Sequence, residues 1–206
     1  MIRVYKTPRL LKSRYPSLVW EKKSPNEIYL TFDDGPHPDI TPWVIERLEK
    51  AEAKATFFCV GKNLMKSQEV SEHARRKGHA IANHTFNHEN GWKTKTTEYL
   101  NSVEKCQNLL NSTSRGKILF RPPYGRIKNN QVERLVSNYE IIMWSHLSWD
   151  FDPDLSVTKS IGALKKAKPG SIIVFHDSEK AEKNMKQILP EMLDYWNDMN
   201  YKMNTL

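Results

Sequence analysis

The chain has 206 residues, 38% of them hydrophobic and 27% charged, which fits one ordinary folded domain and excludes a fibrous or disordered chain. No run approaches the ~18 uninterrupted apolar residues of a membrane helix, so no membrane span is expected. The net charge is +8, and most of it sits in residues 1–23, where seven Lys or Arg stand against the single acid Glu21.

Such an arm can attract an anionic polymer. No nucleic-acid-binding signature accompanies it, so a nucleic-acid partner is not expected. Residues 1–26 read instead as a basic arm packing on a body formed by residues 27–206. The first twenty residues lack the apolar core of a secretory signal. Cys59 and Cys106 are too few for a disulfide framework and read as free thiols. Both observations point to a cytoplasmic location.

In chain order, short apolar runs alternate with amphipathic stretches. The runs at 28–32, 55–60, 80–83, 118–120, 140–146 and 171–177 are rich in β-branched and aromatic residues and too short for core helices, so each is predicted to be a strand. Residues 201–206 give a seventh candidate. Between them, a helix is predicted from Thr41 as N-cap with Pro42 in its first turn. Further helices are predicted over 62–77, 96–111, 129–138, 156–167 and 180–199 from three- and four-residue apolar spacing. Strand–helix alternation with continuously apolar strands means a parallel sheet covered by helices, in one α/β domain; periodicity does not choose between an open sheet and a barrel.

Parallel α/β folds place their sites beyond the C-terminal ends of the strands. Reactive residue types gather there. Asp33-Asp34-Gly35-Pro36 follows the first strand, His84-Thr85-Phe86-Asn87-His88 the third and Arg121-Pro122-Pro123-Tyr124-Gly125 the fourth. Ser148-Trp149-Asp150-Phe151-Asp152 follows the fifth, and the sixth ends in His176-Asp177. Histidines four apart can share a metal ion, and two His with one carboxylate make a common catalytic zinc set. Adjacent Asp33 and Asp34 point in different directions, so one can ligate while the other faces water. In isolation each string has a plainer reading: a solvated turn for the acids and for Arg121, a core role for His176. The prolines after Arg121 stiffen its loop, which suits presentation of Arg and backbone N–H groups to an anion. His176 can act as a general acid if a carboxylate orients it, and Asp150 and Asp177 both lie within reach in sequence. Trp149 and Tyr124 are the stronger candidates for stacking on a sugar ring, and Trp92 a weaker one.

Together these strings resemble the five ordered motifs of the polysaccharide deacetylases, carbohydrate esterase family four, over about residue 27 to the C-terminus. The resemblance implies a distorted (β/α)7-type barrel that removes acetyl groups from carbohydrate polymers. It implies Asp34, His84 and His88 as ligands of one divalent metal ion, zinc first, with cobalt, nickel or manganese also compatible with such a set. It further implies Asp33 as base, Arg121 as the residue that positions it and the Tyr124 backbone N–H as an oxyanion donor. His176 matches the acid, Asp150 the carboxylate that tunes it, and Phe151 and Val174 the apolar walls around the acetyl methyl. Two positions depart from the pattern: Glu89 stands where proline is common, and Leu147 and Phe151 replace the outer residues of the usual Asp-x-x-Asp-Trp. The implied partner is an acetylated, N-acetylglucosamine-containing glycan. An O-acetyl esterase of xylan type, a small-molecule amidase and a non-catalytic glycan-binding protein are the alternatives.

Overall fold

The computed structural model describes residues 3–110 and 118–206. Its seven main strands are β1 (Glu27–Asp33), β2 (Ala55–Cys59), β3 (Ala80–Asn83), β4 (Ile118–Phe120), β5 (Tyr139–Ile141), β6 (His146–Leu147) and β7 (Ile172–His176). They form one curled parallel sheet in the order β5-β4-β3-β2-β1-β7-β6. The helices are α1 (Arg9–Arg14), α2 (Ile40–Lys50), α3 (Gly61–Lys66), α4 (Gln68–Arg76), α5 (Thr96–Leu110), α6 (Asn129–Leu135), α7 (Val157–Leu164) and α8 (Glu179–Asp198). This is a single-domain distorted (β/α)7-type barrel. A short β8 (Lys202–Met203) pairs with the start of β1, off the main path, so the last run extends the sheet at one end and is not a barrel stave.

Period-two alternation sorts each strand between two environments. Ile28, Leu30 and Phe32 of β1, Ala55, Phe57 and Cys59 of β2, and Ile173 and Phe175 of β7 enter the core under the helices. Tyr29, Phe58, Ala82 and Ile172 form a separate cluster inside the curl. The same alternation turns Thr31, Asp33, Val174 and His176 away from the helix-facing core.

Three details differ from the sequence expectation, each for a tertiary reason. The apolar run 140–146 is two strands because it changes partners: Ile142 N–H donates to Phe120 O at 2.8 Å, Met143 N–H to Val19 O at 2.7 Å and Ser145 N–H to Ile172 O at 2.9 Å. The stretch 62–77 is two helices, broken at Ser67, which has φ −138° and ψ 45°. Thr41 does not cap α2, whose N-cap position is Asp39; its hydroxyl accepts from His37 N–H and donates to Asp177.

β5 and β6 do not pair, and the arm fills that seam. Val19 N–H donates to Ile141 O at 2.9 Å, Leu147 N–H to Tyr5 O at 2.9 Å and Thr7 N–H to Ser145 O at 2.9 Å. α1, which the sequence reading did not foresee, lies within this arm. Among the described residues no helix is long and apolar enough to cross a membrane.

Candidate active site

Because the strands are parallel, their C-terminal ends share one rim, and a cleft of about 810 Å³ opens there. It is lined by Asp33, Asp34, His84, His88, Tyr124, Trp149, Phe151, Val174 and His176, among others. Arg121 and Asp150 lie beneath, both fully buried. These eleven residues therefore converge on one place. Trp92 does not line the cleft; it stands 59% exposed outside it, with the Arg126 guanidinium 5.2 Å from its ring.

Asp34, His84 and His88 form the group able to hold a metal ion among the described residues, with one donor atom from each within 4.8 Å of the others. The tautomer of His84 is set by its partner: Nδ1 lies 2.7 Å from the Arg121 carbonyl oxygen, which only accepts, so Nδ1 carries the proton and Nε2 offers a lone pair. That Nε2 faces Asp34 Oδ1 at 3.8 Å, and His88 Nε2 faces the same oxygen at 3.1 Å. Burial, aided by the neighbouring His88, lowers the His84 pKa to about 4, which keeps the ring neutral as ligation requires. Burial alone would raise the Asp34 pKa, but His88, His176 and His84 outweigh it and hold the carboxylate ionised far below its usual range. A neutral imidazole, a carboxylate and a second imidazole on one side of a polar cleft fit a divalent cation.

Asp33 faces the other way and is buried. Its Oδ1 accepts from Arg121 at 2.7 Å. The guanidinium also donates to Thr31 Oγ1 at 2.7 Å, Ile142 O at 3.2 Å and Met143 O at 3.0 Å, and its carbon lies 4.1 Å from the centre of the Phe58 ring. A buried cation this fully paired is held in one orientation, and it holds Asp33 in turn.

The third pair is His176 with Asp150. His176 Nδ1 is 2.7 Å from Asp150 Oδ1, and its backbone N–H donates to Oδ2 at 2.8 Å. Asn184 fixes the Asp150 loop by donating to the carbonyls of Asp150 and Asp152, both at 2.9 Å. Burial opposes a charge on His176, but Asp150, with Asp34 and Asp33, overcomes it and raises the pKa to about 9. Of the two candidate partners, the structure selects Asp150. Asp177 points elsewhere, accepting from Gly35 N–H at 3.0 Å and from the Thr41 hydroxyl; burial pushes its pKa up to about 7. The Phe151 ring meets His176 edge-on at 4.9 Å, and Val174 and Leu147 complete an apolar wall beside it.

The loops are held in unusual conformations. Seven non-glycine residues among those described have positive φ, and five of them, Asp34, Thr85, His88, Tyr124 and Trp149, belong to these motifs. Strain of this kind persists where surrounding contacts over-determine it. Glu89, at the position where the motif departs from the usual proline, supplies such contacts: its carboxylate accepts from Ser102 Oγ at 2.6 Å and from Asn87 N and Nδ2 at 3.1 and 2.7 Å. Sequence reasoning gave Thr31, the residue that opens the first motif, no role of its own and missed Asn184, since an asparagine in a helix carries no local signal.

The family model for polysaccharide deacetylases matches residues 21–143. The chain is 36% identical over 154 residues to a peptidoglycan-N-acetylglucosamine deacetylase of Bacillus cereus, covering 74% of this chain and 56% of that protein, so it spans little more than half the length of that relative. It is 37% identical over 158 residues to a chitooligosaccharide deacetylase of Azorhizobium caulinodans, covering 74% of each. Among solved structures, the peptidoglycan N-acetylglucosamine deacetylase Bc1960, in complex with 4-naphthalen-1-yl-N-oxidanyl-benzamide, superposes with a TM-score of 0.84 at 30% identity, over 97% of this chain and 95% of that one. Motif order, barrel and these likenesses agree, and the chain belongs to the polysaccharide deacetylase family.

Proposed function

We propose that this protein is a metal-dependent hydrolase that removes N-acetyl groups from N-acetylglucosamine-containing poly- or oligosaccharides. The observation that carries the reading is the convergence of the Asp34/His84/His88 donor set, the Asp33–Arg121 pair and the Asp150–His176 pair on one cleft. A divalent cation, zinc by preference, held by the three donors supplies Lewis acidity toward water and an acyl carbonyl. Asp33, aimed by Arg121, accepts a proton from the attacking water. Held by Arg121, that carboxylate would stay off a bound cation, leaving Asp34 as the carboxylate that would ligate it. Tyr124 presents its backbone N–H to the oxygen on which charge develops; the hydrogen bonds of its turn are made by Gly125 and Arg126 instead. His176, protonated at neutral pH, delivers its Nε2 proton to the departing nitrogen while Asp150 holds Nδ1. The amide C–N bond breaks, the acyl carbon keeps the water oxygen as acetate, and the sugar leaves as an amine. Phe151, Val174 and Leu147 receive the methyl group, and the aromatic rings of Trp149 and Tyr124 stack on the sugar. We assign residues 27–206 as the catalytic body and the preceding arm as its strap.

Mass spectrometry of N-acetylchitopentaose incubated with zinc-loaded protein, beside a chelated sample, tests the reading. Stepwise loss of acetyl groups that chelation stops is expected. Absence of loss with metal demonstrably bound would overturn N-deacetylation and send the same chemistry to O-acetyl esters.

A further inference from the structure

The arm does more than close a seam: four of its residues, Val4, Thr7, Pro8 and Leu11, line the cleft that holds the catalytic groups. It also fixes the two tryptophans on that side. The Trp149 indole N–H donates to Val4 O at 3.1 Å, and Thr7 Oγ1 donates to Trp144 O at 2.8 Å. Arg3 ties down the following loop through Asp152 Oδ2 at 2.7 Å and Asp154 O at 3.0 Å. Trp144 and Trp149 line the same cleft as these arm residues, so aliphatic and aromatic groups share its wall. Val4 and Leu11 are 50% and 42% exposed, so part of this wall stays open to a ligand. The family match begins at residue 21, which leaves the arm outside the part of the chain the family pattern describes.

We propose that residues Val4, Pro8 and Leu11, with Trp144 and Trp149, form a second sugar subsite, which binds the pyranose next to the one being deacetylated and makes the protein selective for oligomers. This rests on the glycan reading above. An apolar wall of aliphatic and aromatic groups matches the C–H face of a pyranose, whose hydroxyls then point along the cleft to water. The wall lines the same cleft as the catalytic rim, and that cleft, about 810 Å³, is large enough for more than one ring. Tethering the Trp149 N–H to the arm satisfies the indole's only donor and pre-sets the ring, so less side-chain freedom is lost when a sugar stacks on it.

The test uses the full zinc-loaded chain with Leu11→Ser and Val4→Ser, both at partly exposed positions that the fold tolerates. Leu10→Ser, at an 81% exposed residue outside the cleft lining, is the control. KM for N-acetylchitopentaose is measured by turnover, and its Kd by calorimetry after chelation. Both constants rise on the order of tenfold in Leu11→Ser and Val4→Ser, the loss falling on affinity, while Leu10→Ser matches the parent. Unchanged KM and Kd in both variants, or a fall in kcat with affinity intact, overturns the subsite and reduces the arm to a brace. A parent chain that binds the pentasaccharide without cleaving it sinks the deacetylase reading instead, and the Kd comparison still decides the wall.

Discussion

Asp33 and Asp34 are adjacent in the chain yet answer to different partners, a buried guanidinium for one and two imidazoles for the other. Asp33→Asn keeps the donor set and the hydrogen-bond geometry but removes the proposed base. Turnover is expected to fall roughly 10²–10⁴-fold with metal content unchanged, measured by elemental analysis beside the rate. Loss of metal in that variant would mean the two carboxylates had been given each other's roles. His176 carries a second prediction. Asp150 is the largest influence raising its pKa, to about 9 from 6.5, against the downward pull of burial. Activity that needs the protonated ring therefore has its alkaline limb toward 9, and a cation beside Asp34 moves the limb below that value. In Asp150→Asn the largest upward influence is gone and the limb shifts to lower pH, as a pH–rate profile would record. The same pair contributes stability that is fully present below pH 6.5 and is lost as pH rises through about 9.

The turn between β1 and α2 shows how whole elements are coupled through one missing side chain. Gly35 abuts the Asp177 carboxylate so closely that an added Cβ would overlap it. Asp177 cannot withdraw, because it is buried at the end of β7 and engaged by Gly35 N–H and Thr41 of α2. Gly35→Ala is expected to cost about 1–3 kcal/mol and to displace Asp34, lowering metal affinity as well. Gly162, mid-way along α7 with open space around its Cα, is the contrast: Gly162→Ala should stabilise by about 0.5–1 kcal/mol. Thermal unfolding of the two variants side by side checks both signs.

At the scale of the molecule, the proposed metal donors come from the end of β1 and the loop after β3, and the proposed acid–base pairs from the ends of β1, β4, β6 and β7, so the candidate site exists only when the barrel is closed. A ligand bound only by the folded state stabilises it by mass action. Zinc at one hundred times its Kd is expected to add about 2.7 kcal/mol, a rise of about 2–4 °C in Tm for each kcal/mol. His84→Ala should abolish that rise while folding without metal, and a zinc-induced shift that survived the substitution would place the ion elsewhere. The same closure explains the arm: between β5 and β6 the sheet lacks a stave, and an unpaired edge would be left open if Val19 and Tyr5–Thr7 did not bond there.

Strand and helix identity were legible in the sequence because burial on both faces of a parallel sheet demands continuous apolar runs, and amphipathic helices repeat every three to four residues. The reactive residues were legible because they end those runs, where a parallel fold must bring them to one rim. The sequence by itself thus determined the class of fold, the rim and which residues gather in the candidate site. Tertiary structure supplied the contacts behind two pairings that the resemblance implied, Asp150 with His176 and Arg121 with Asp33, and it alone decided that Thr41 engages Asp177 in place of capping a helix. It also decided that the arm reaches into the cleft. Hydrophobic periodicity is a property of neighbours in the chain, whereas a hydrogen bond between residues 37 or 88 positions apart, as His84 and Asp33 make to Arg121, depends on register and curl that no local pattern records.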